Sequence, residues 1–121
     1  MTIHEPAGRH LLAELDQCAR LPASGELERL LRRAGVAGGG TVLAVHTHNF
    51  GANGGVAGIA LLAESHISVH TWPEYSYAAV DVFMCGEAAR PEAALDVLVQ
   101  SFEAENVSVQ SIARRAAGVI S

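Results

Sequence analysis

Residues 64–86 bring together Glu64, Ser65, His66, His70, Glu74, Asp81 and Cys85 with Trp72, the only tryptophan, in a chain that is 50% apolar. Several of these side chains suit covalent or proton-transfer chemistry. The Ser65 hydroxyl neighbours the Glu64 carbonyl and can attack it, converting the peptide bond to an ester. Imidazole has an ordinary pKa near 6.5 and suits proton removal, which makes His70 a candidate base. Thiols are ordinarily protonated at neutral pH and can return a proton, which makes Cys85 a candidate acid. Each type also has a plain structural use. Serine at a strand entry bonds nearby backbone, buried cysteine packs as a small apolar group, and glutamate in a turn is solvated. Their combination is what points to a reaction.

The combination has a recognisable order: Glu64-Ser65, His70 five residues on, Thr71-Trp72-Pro73-Glu74, Tyr77-Ala78-Ala79-Val80-Asp81, and Cys85. This run closely resembles the self-cleaving segment of the prokaryotic S-adenosylmethionine decarboxylases, small pyruvoyl enzymes of polyamine and spermidine synthesis. Gly8-Arg9-His10-Leu11-Leu12-Ala13-Glu14 and the approach from Phe50 to Gly58 fit the same family, so the resemblance spans most of residues 8–86. It implies that Ser65 attacks the Glu64 carbonyl and that elimination from the ester breaks the chain. Hydrolysis of the resulting dehydroalanine then leaves a pyruvoyl group with loss of ammonia. The resemblance thus implies a cleavage site at Glu64-Ser65 and mature chains of residues 1–64 and 65–121. By the same resemblance His70 assists processing, Cys85 protonates the decarboxylated substrate, Glu74 binds ribose hydroxyls and Phe50 stacks on adenine. Phe50 aligns when its loop is one residue longer than usual.

A pyruvoyl ketone forms a Schiff base with a substrate amine and replaces pyridoxal phosphate as electron sink. The sequence has no lysine to hold pyridoxal phosphate, since every basic residue is arginine. One position departs from the family. A hydroxyl residue usually stands eight positions before the cleavage serine, where it assists processing, and here Gly55-Val56-Ala57-Gly58 puts Ala57 there. S-adenosylmethionine is the favoured substrate because Glu74 and Phe50 suit a nucleoside. Arginine or ornithine decarboxylation through the same pyruvoyl chemistry is the alternative. A third reading, motivated by Ala57, is an unprocessed, non-catalytic binding module. The resemblance implies a homodimer or higher oligomer with composite sites.

Other chemistries fit less well. His46 and His48 share a strand face, as do His66 and His70, yet the sequence contains neither the deaminase nor the His-Glu-x-x-His zinc pattern, and no metal is expected. A Gly-x-Ser-x-Gly elbow is also missing, which disfavours a serine hydrolase. A net charge of −5, from eight arginines against thirteen acidic residues, disfavours nucleic acid as partner. No apolar run nears the roughly 20 residues of a membrane span, and the N-terminus lacks a basic-then-apolar signal, so a cytoplasmic location is expected. Cys18 and Cys85 are too few for a disulfide framework and are expected to be free thiols.

At 121 residues one domain is expected. Residues 1–7 show no periodicity and read as a loose terminus. Leu11, Leu12, Leu15 and Cys18 repeat at helical spacing, but Leu11, Ala13 and Leu15 also alternate, and the resemblance selects a strand. A helix is predicted over Glu26–Ala34, capped by Ser24, with Arg32 and Arg33 in its last turn and Gly35 closing it. Strands follow at residues 41–48 and at Val56–Ala63, the latter so apolar that burial on both faces is expected. Two more strands, His66–Trp72 and Tyr77–Met84, flank a turn at residues 73–76. Ser65 and His70 have opposite parity, so a turn or break is predicted at Glu64-Ser65. Pro91 opens a helix with a Leu95, Leu98, Val99 and Phe102 stripe, and Val107–Ala113 is the last strand. The short links imply antiparallel pairing, and the whole predicts an α+β two-layer sandwich, an antiparallel sheet with two helices packed on one face.

Overall fold

The computed structural model describes residues 8–115 and the backbone of two short strands, β1 (Thr2–Ile3) and β8 (Val119–Ile120). Between them lie β2 (Gly8–Cys18), α1 (Ser24–Ala37), β3 (Val42–Asn49), β4 (Val56–Leu62), β5 (Ser65–Trp72), β6 (Tyr77–Cys85), α2 (Pro91–Phe102) and β7 (Ala104–Arg114). Six strands form one antiparallel sheet in the order β3-β4-β5-β6-β2-β7. Both helices pack on the same face, as the two-layer reading requires. The core lies between them, with Leu27, Leu31, Leu98 and Phe102 meeting Leu11, Leu15, Ile67 and Val82 of the sheet, each at most 1% exposed. Among the described residues, no helix is long and apolar enough to cross a membrane.

β2 is a strand despite its helical spacing. Leu11, Ala13 and Leu15 point to the helices, and backbone bonds to β6 on one side and β7 on the other outweigh local preference. The left-handed backbone at Gln17 (φ 53°) then turns the chain so that Cys18 re-enters the core, which is why the apolar spacing imitates a helix.

Other expectations need correction. Thr2–Ile3 is not loose but pairs with Val119–Ile120, so Val107–Ala113 does not end the fold. The rest of the predicted loose N-terminus falls outside the described residues. α1 runs three residues past Ala34, its N-cap is Ala23 rather than Ser24, and its last turn holds no basic residue. Gly35 lies inside the helix, where a Cβ would come within 2.9 Å of Leu62 and Val42, and the helix closes at Gly38, whose N–H bonds the Ala34 carbonyl. β4 is buried on one face only: Ile59 and Leu61 are 43% and 51% exposed, since no second layer covers the far side of the sheet.

Candidate active site

The far side of the sheet carries most of the reactive side chains. Strand alternation sends Ser65, Ile67, Val69 and Thr71 toward the helices and His66, Ser68, His70 and Trp72 to the open face. The register adds neighbours on that open face: His48 beside Ala57, Ala57 beside His70, His70 beside Ala79, and His66 beside Phe83. At its centre Asp81 accepts hydrogen bonds from His10 Nε2 at 3.2 Å and from the Ser68 hydroxyl at 3.3 Å. A cavity of about 460 Å³ lies over this region, bordered by His46, His48, Ala57, His70 and Asp81. Among the described residues no three metal-binding side chains converge.

Ser65 opens β5 directly after a two-residue turn from Leu62, and the turn places Glu64 in the left-handed region (φ 62°). The serine is 6% exposed, and its Oγ accepts a hydrogen bond from the Cys85 N–H at 3.1 Å. Cys85 ends β6 as a half-buried free thiol. A recess bordered by Gly8, His66, Phe83 and Arg114 adjoins them, with the Arg114 guanidinium 5.9 Å from the Phe83 ring centre.

The other end of β5 is aromatic. His70 lies between Trp72 (centroids 3.9 Å, planes 10° apart) and Phe50 (5.4 Å, 13°), and Phe50 also meets His48 edge-on at 4.7 Å. Trp72 leans on Tyr77 at 5.3 Å, and the Tyr77 hydroxyl donates to Glu14, which with nearby acidic charge pushes the phenol up to about 12. The Phe50 loop is tied down at its exit. Thr71, fully buried, accepts from the Val56 N–H at 3.0 Å and donates to the Val56 carbonyl. Gly55 (φ 77°) permits that approach, because a Cβ there would lie 2.2 Å from the Thr71 carbonyl oxygen. Glu74 stands exposed in the 3-10 turn Pro73–Tyr75 that follows Trp72.

The predicted residues therefore fall into two groups. Glu64, Ser65 and Cys85 meet at one rim of the sheet, and Phe50, His70 and Glu74 lie at the opposite end. The break predicted at Glu64-Ser65 is present as the left-handed Glu64, yet Ser65 is already in regular register with Leu62. One chain thus keeps Ser65 and His70 on opposite faces, five residues or about 17 Å apart. Sequence reading gave no role to Phe83 and Arg114 at one end, weighed His66 and His48 only as metal ligands, and took Tyr77 only as part of the family motif. Their shared alternation on adjacent strands was the available signal, and it becomes readable once the strand register is known.

Comparison with known proteins gives this arrangement a family. The profile described as S-adenosylmethionine decarboxylase matches residues 9–115. The chain is 42% identical over 107 residues to a protein of Thermomicrobium roseum named S-adenosylmethionine decarboxylase proenzyme, covering 88% of this chain and 92% of that protein. It is 45% identical to a Prochlorococcus marinus protein of the same name (88% and 86% covered) and 40% identical to one from Thermodesulfovibrio yellowstonii (94% and 83%). The crystal structure of the adenosylmethionine decarboxylase from Aquifex aeolicus superposes with a TM-score of 0.85 at 29% identity, covering 98% of both chains. With a family profile over most of its length, relatives at 40–45% identity and a matching fold, the chain belongs to the S-adenosylmethionine decarboxylase family.

Proposed function

We propose that the chain is a self-processing, pyruvoyl-dependent S-adenosylmethionine decarboxylase of polyamine synthesis, cleaved between Glu64 and Ser65 into residues 1–64 and 65–121. The observation that carries the reading is the left-handed Glu64 joined to a buried Ser65 whose Oγ accepts the Cys85 N–H. A non-glycine residue in that backbone region stores about 1–2 kcal/mol, released when the following peptide bond opens. Attack of Oγ on the Glu64 carbonyl carbon forms a C–O bond and breaks the C–N bond, the nitrogen keeping the electron pair and taking a proton. Removal of the Ser65 α-proton, assigned to His70, expels the Glu64 carboxylate from the serine Cβ. Water then releases ammonia and leaves the ketone.

The surroundings suit such a group: a small buried position held by the Cys85 backbone N–H, one residue from His66 of the His66 and Phe83 recess, with the Cys85 side chain on the open face that His66 and Phe83 share. The pyruvoyl group supplies a ketone that captures the substrate amine and a neighbouring carbonyl that takes up the electrons freed with carbon dioxide. Cys85 holds the proton for the substrate α-carbon, Phe50 offers a ring face to adenine, and Glu74 accepts from the ribose hydroxyls.

A homodimer completes the site. Stacking two open faces with their β5 strands antiparallel lays the His70, Phe50 and Glu74 end of one copy over the rim of the other where β5 begins and Cys85 faces out. The 17 Å separation within one chain supports this, as do Phe50, Ile59, Leu61 and Ile112, each 43–51% exposed.

The test is the denatured mass of the purified protein, with Ser65→Ala as control. Two fragments ending at Glu64 and beginning at residue 65, the second lighter than its serine form by one ammonia, are expected. An intact chain unchanged after long incubation overturns the reading in favour of the non-catalytic binding module that Ala57 suggests. Turnover of S-adenosylmethionine against arginine and ornithine then decides the substrate.

A further inference from the structure

We infer that Trp72 is a positioning residue for self-cleavage, holding the His70 ring in its working orientation by stacking alone. The inference rests on the role assigned to His70 above. A histidine that moves protons is usually oriented by a hydrogen bond from its second ring nitrogen to a carboxylate or carbonyl. Among the described residues no side-chain hydrogen bond reaches the His70 ring, while His10 on the same face of the sheet has Asp81. The cross-strand neighbours of His70 on β4 and β6 are Ala57 and Ala79, whose single methyl groups cannot fix a ring.

Two aromatic faces remain, and they are unequal. Phe50 is 50% exposed, offset at 5.4 Å and mounted on the loop before β4. Trp72 is two residues from His70 on the same strand face, 3.9 Å away and within 10° of parallel. It is itself buttressed by Tyr77, whose hydroxyl is held by Glu14. Rigidity therefore runs from β2 through Tyr77 and Trp72 to the imidazole. Such stacking is the kind of contact that fixes a ring plane without occupying either nitrogen.

Self-cleavage needs no substrate, so its rate separates this role from any contact Trp72 makes with a nucleoside. The experiment measures cleavage of freshly made precursor in wild type, Trp72→Ala, Trp72→Phe, His70→Ala and the His70→Ala/Trp72→Ala double variant, with melting curves for each. Misplacement of a reacting group by about 1 Å costs on the order of 100-fold, so Trp72→Ala should slow cleavage about 10- to 100-fold. Trp72→Phe, which keeps a flat face, should restore most of the rate. In the His70→Ala background the tryptophan substitution should have no further effect, because the only group it positions is gone.

Equal slowing by Trp72→Ala in both backgrounds overturns the inference and leaves a general structural role. So does wild-type cleavage by a folded Trp72→Ala while His70→Ala is slow. Wild-type cleavage by His70→Ala has a different meaning: it removes the role assigned to His70 and the clamp with it.

Discussion

Ala57→Ser should accelerate self-cleavage, and the structure sets the size of the effect. Ala57 is paired directly with His70 on β5 and with His48 on β3, all three on the open face. Cross-strand partners have Cβ atoms about 5 Å apart, so a serine hydroxyl at 57 lies within reach of either imidazole. Room is available because Ala57 borders the cavity of about 460 Å³. A hydrogen bond of ordinary strength contributes about 0.5–1.5 kcal/mol, and each 1.4 kcal/mol is tenfold, so a bond made in the transition state should quicken cleavage roughly 2- to 10-fold. The assay follows the intact fraction over time by denatured mass at fixed pH. Ala57→Val serves as a control that adds volume without a donor and should give no acceleration. If Ala57→Ser cleaves no faster than wild type while melting at the same temperature, the missing hydroxyl does not limit processing, and the reasoning from register to rate fails.

Two further predictions concern the framework. Gly58→Ala should destabilise the fold by about 1–3 kcal/mol, read as a fall in Tm of roughly 5–10 °C, because its Cβ would sit 2.8 Å from both the Leu27 and Leu31 side chains, which are fully buried and have nowhere to go. Tyr77, whose phenol is pushed up to about 12 mainly by its hydrogen bond to Glu14, should stay protonated at pH about 11, where an ordinary tyrosine ionises. Its folded pKa is raised, so the stability it contributes is fully present below about pH 10 and is lost as pH rises toward 12. Ultraviolet titration checks this, and Glu14→Gln should move the Tyr77 transition down.

The sequence by itself determined the element types from Val42 to Phe102, because alternation of apolar residues along strands and a single stripe along α2 leave few other ways to bury them. It also determined the two-layer architecture, since two amphipathic helices and short antiparallel links have one sheet face to cover. The reactive residue types were equally plain: serine after glutamate, a histidine five residues on, and a cysteine at a strand end are local facts.

Other features were fixed only by distant contacts. Pairing on both sides, with β6 and β7, made Gly8–Cys18 a strand where local spacing was undecided. The use of Gly35 for close packing against Leu62 and Val42 inside α1, leaving the cap to Gly38, was likewise visible only in the packed structure. The Trp72 face on His70, the Ala57–His70 pair and the separation of Ser65 from His70 all depend on strand register. Register belongs to the sheet as a whole, since a slip of one residue sends every side chain to the other face, and no single segment encodes it. The sequence named the groups; tertiary pairing decided which of them stand together.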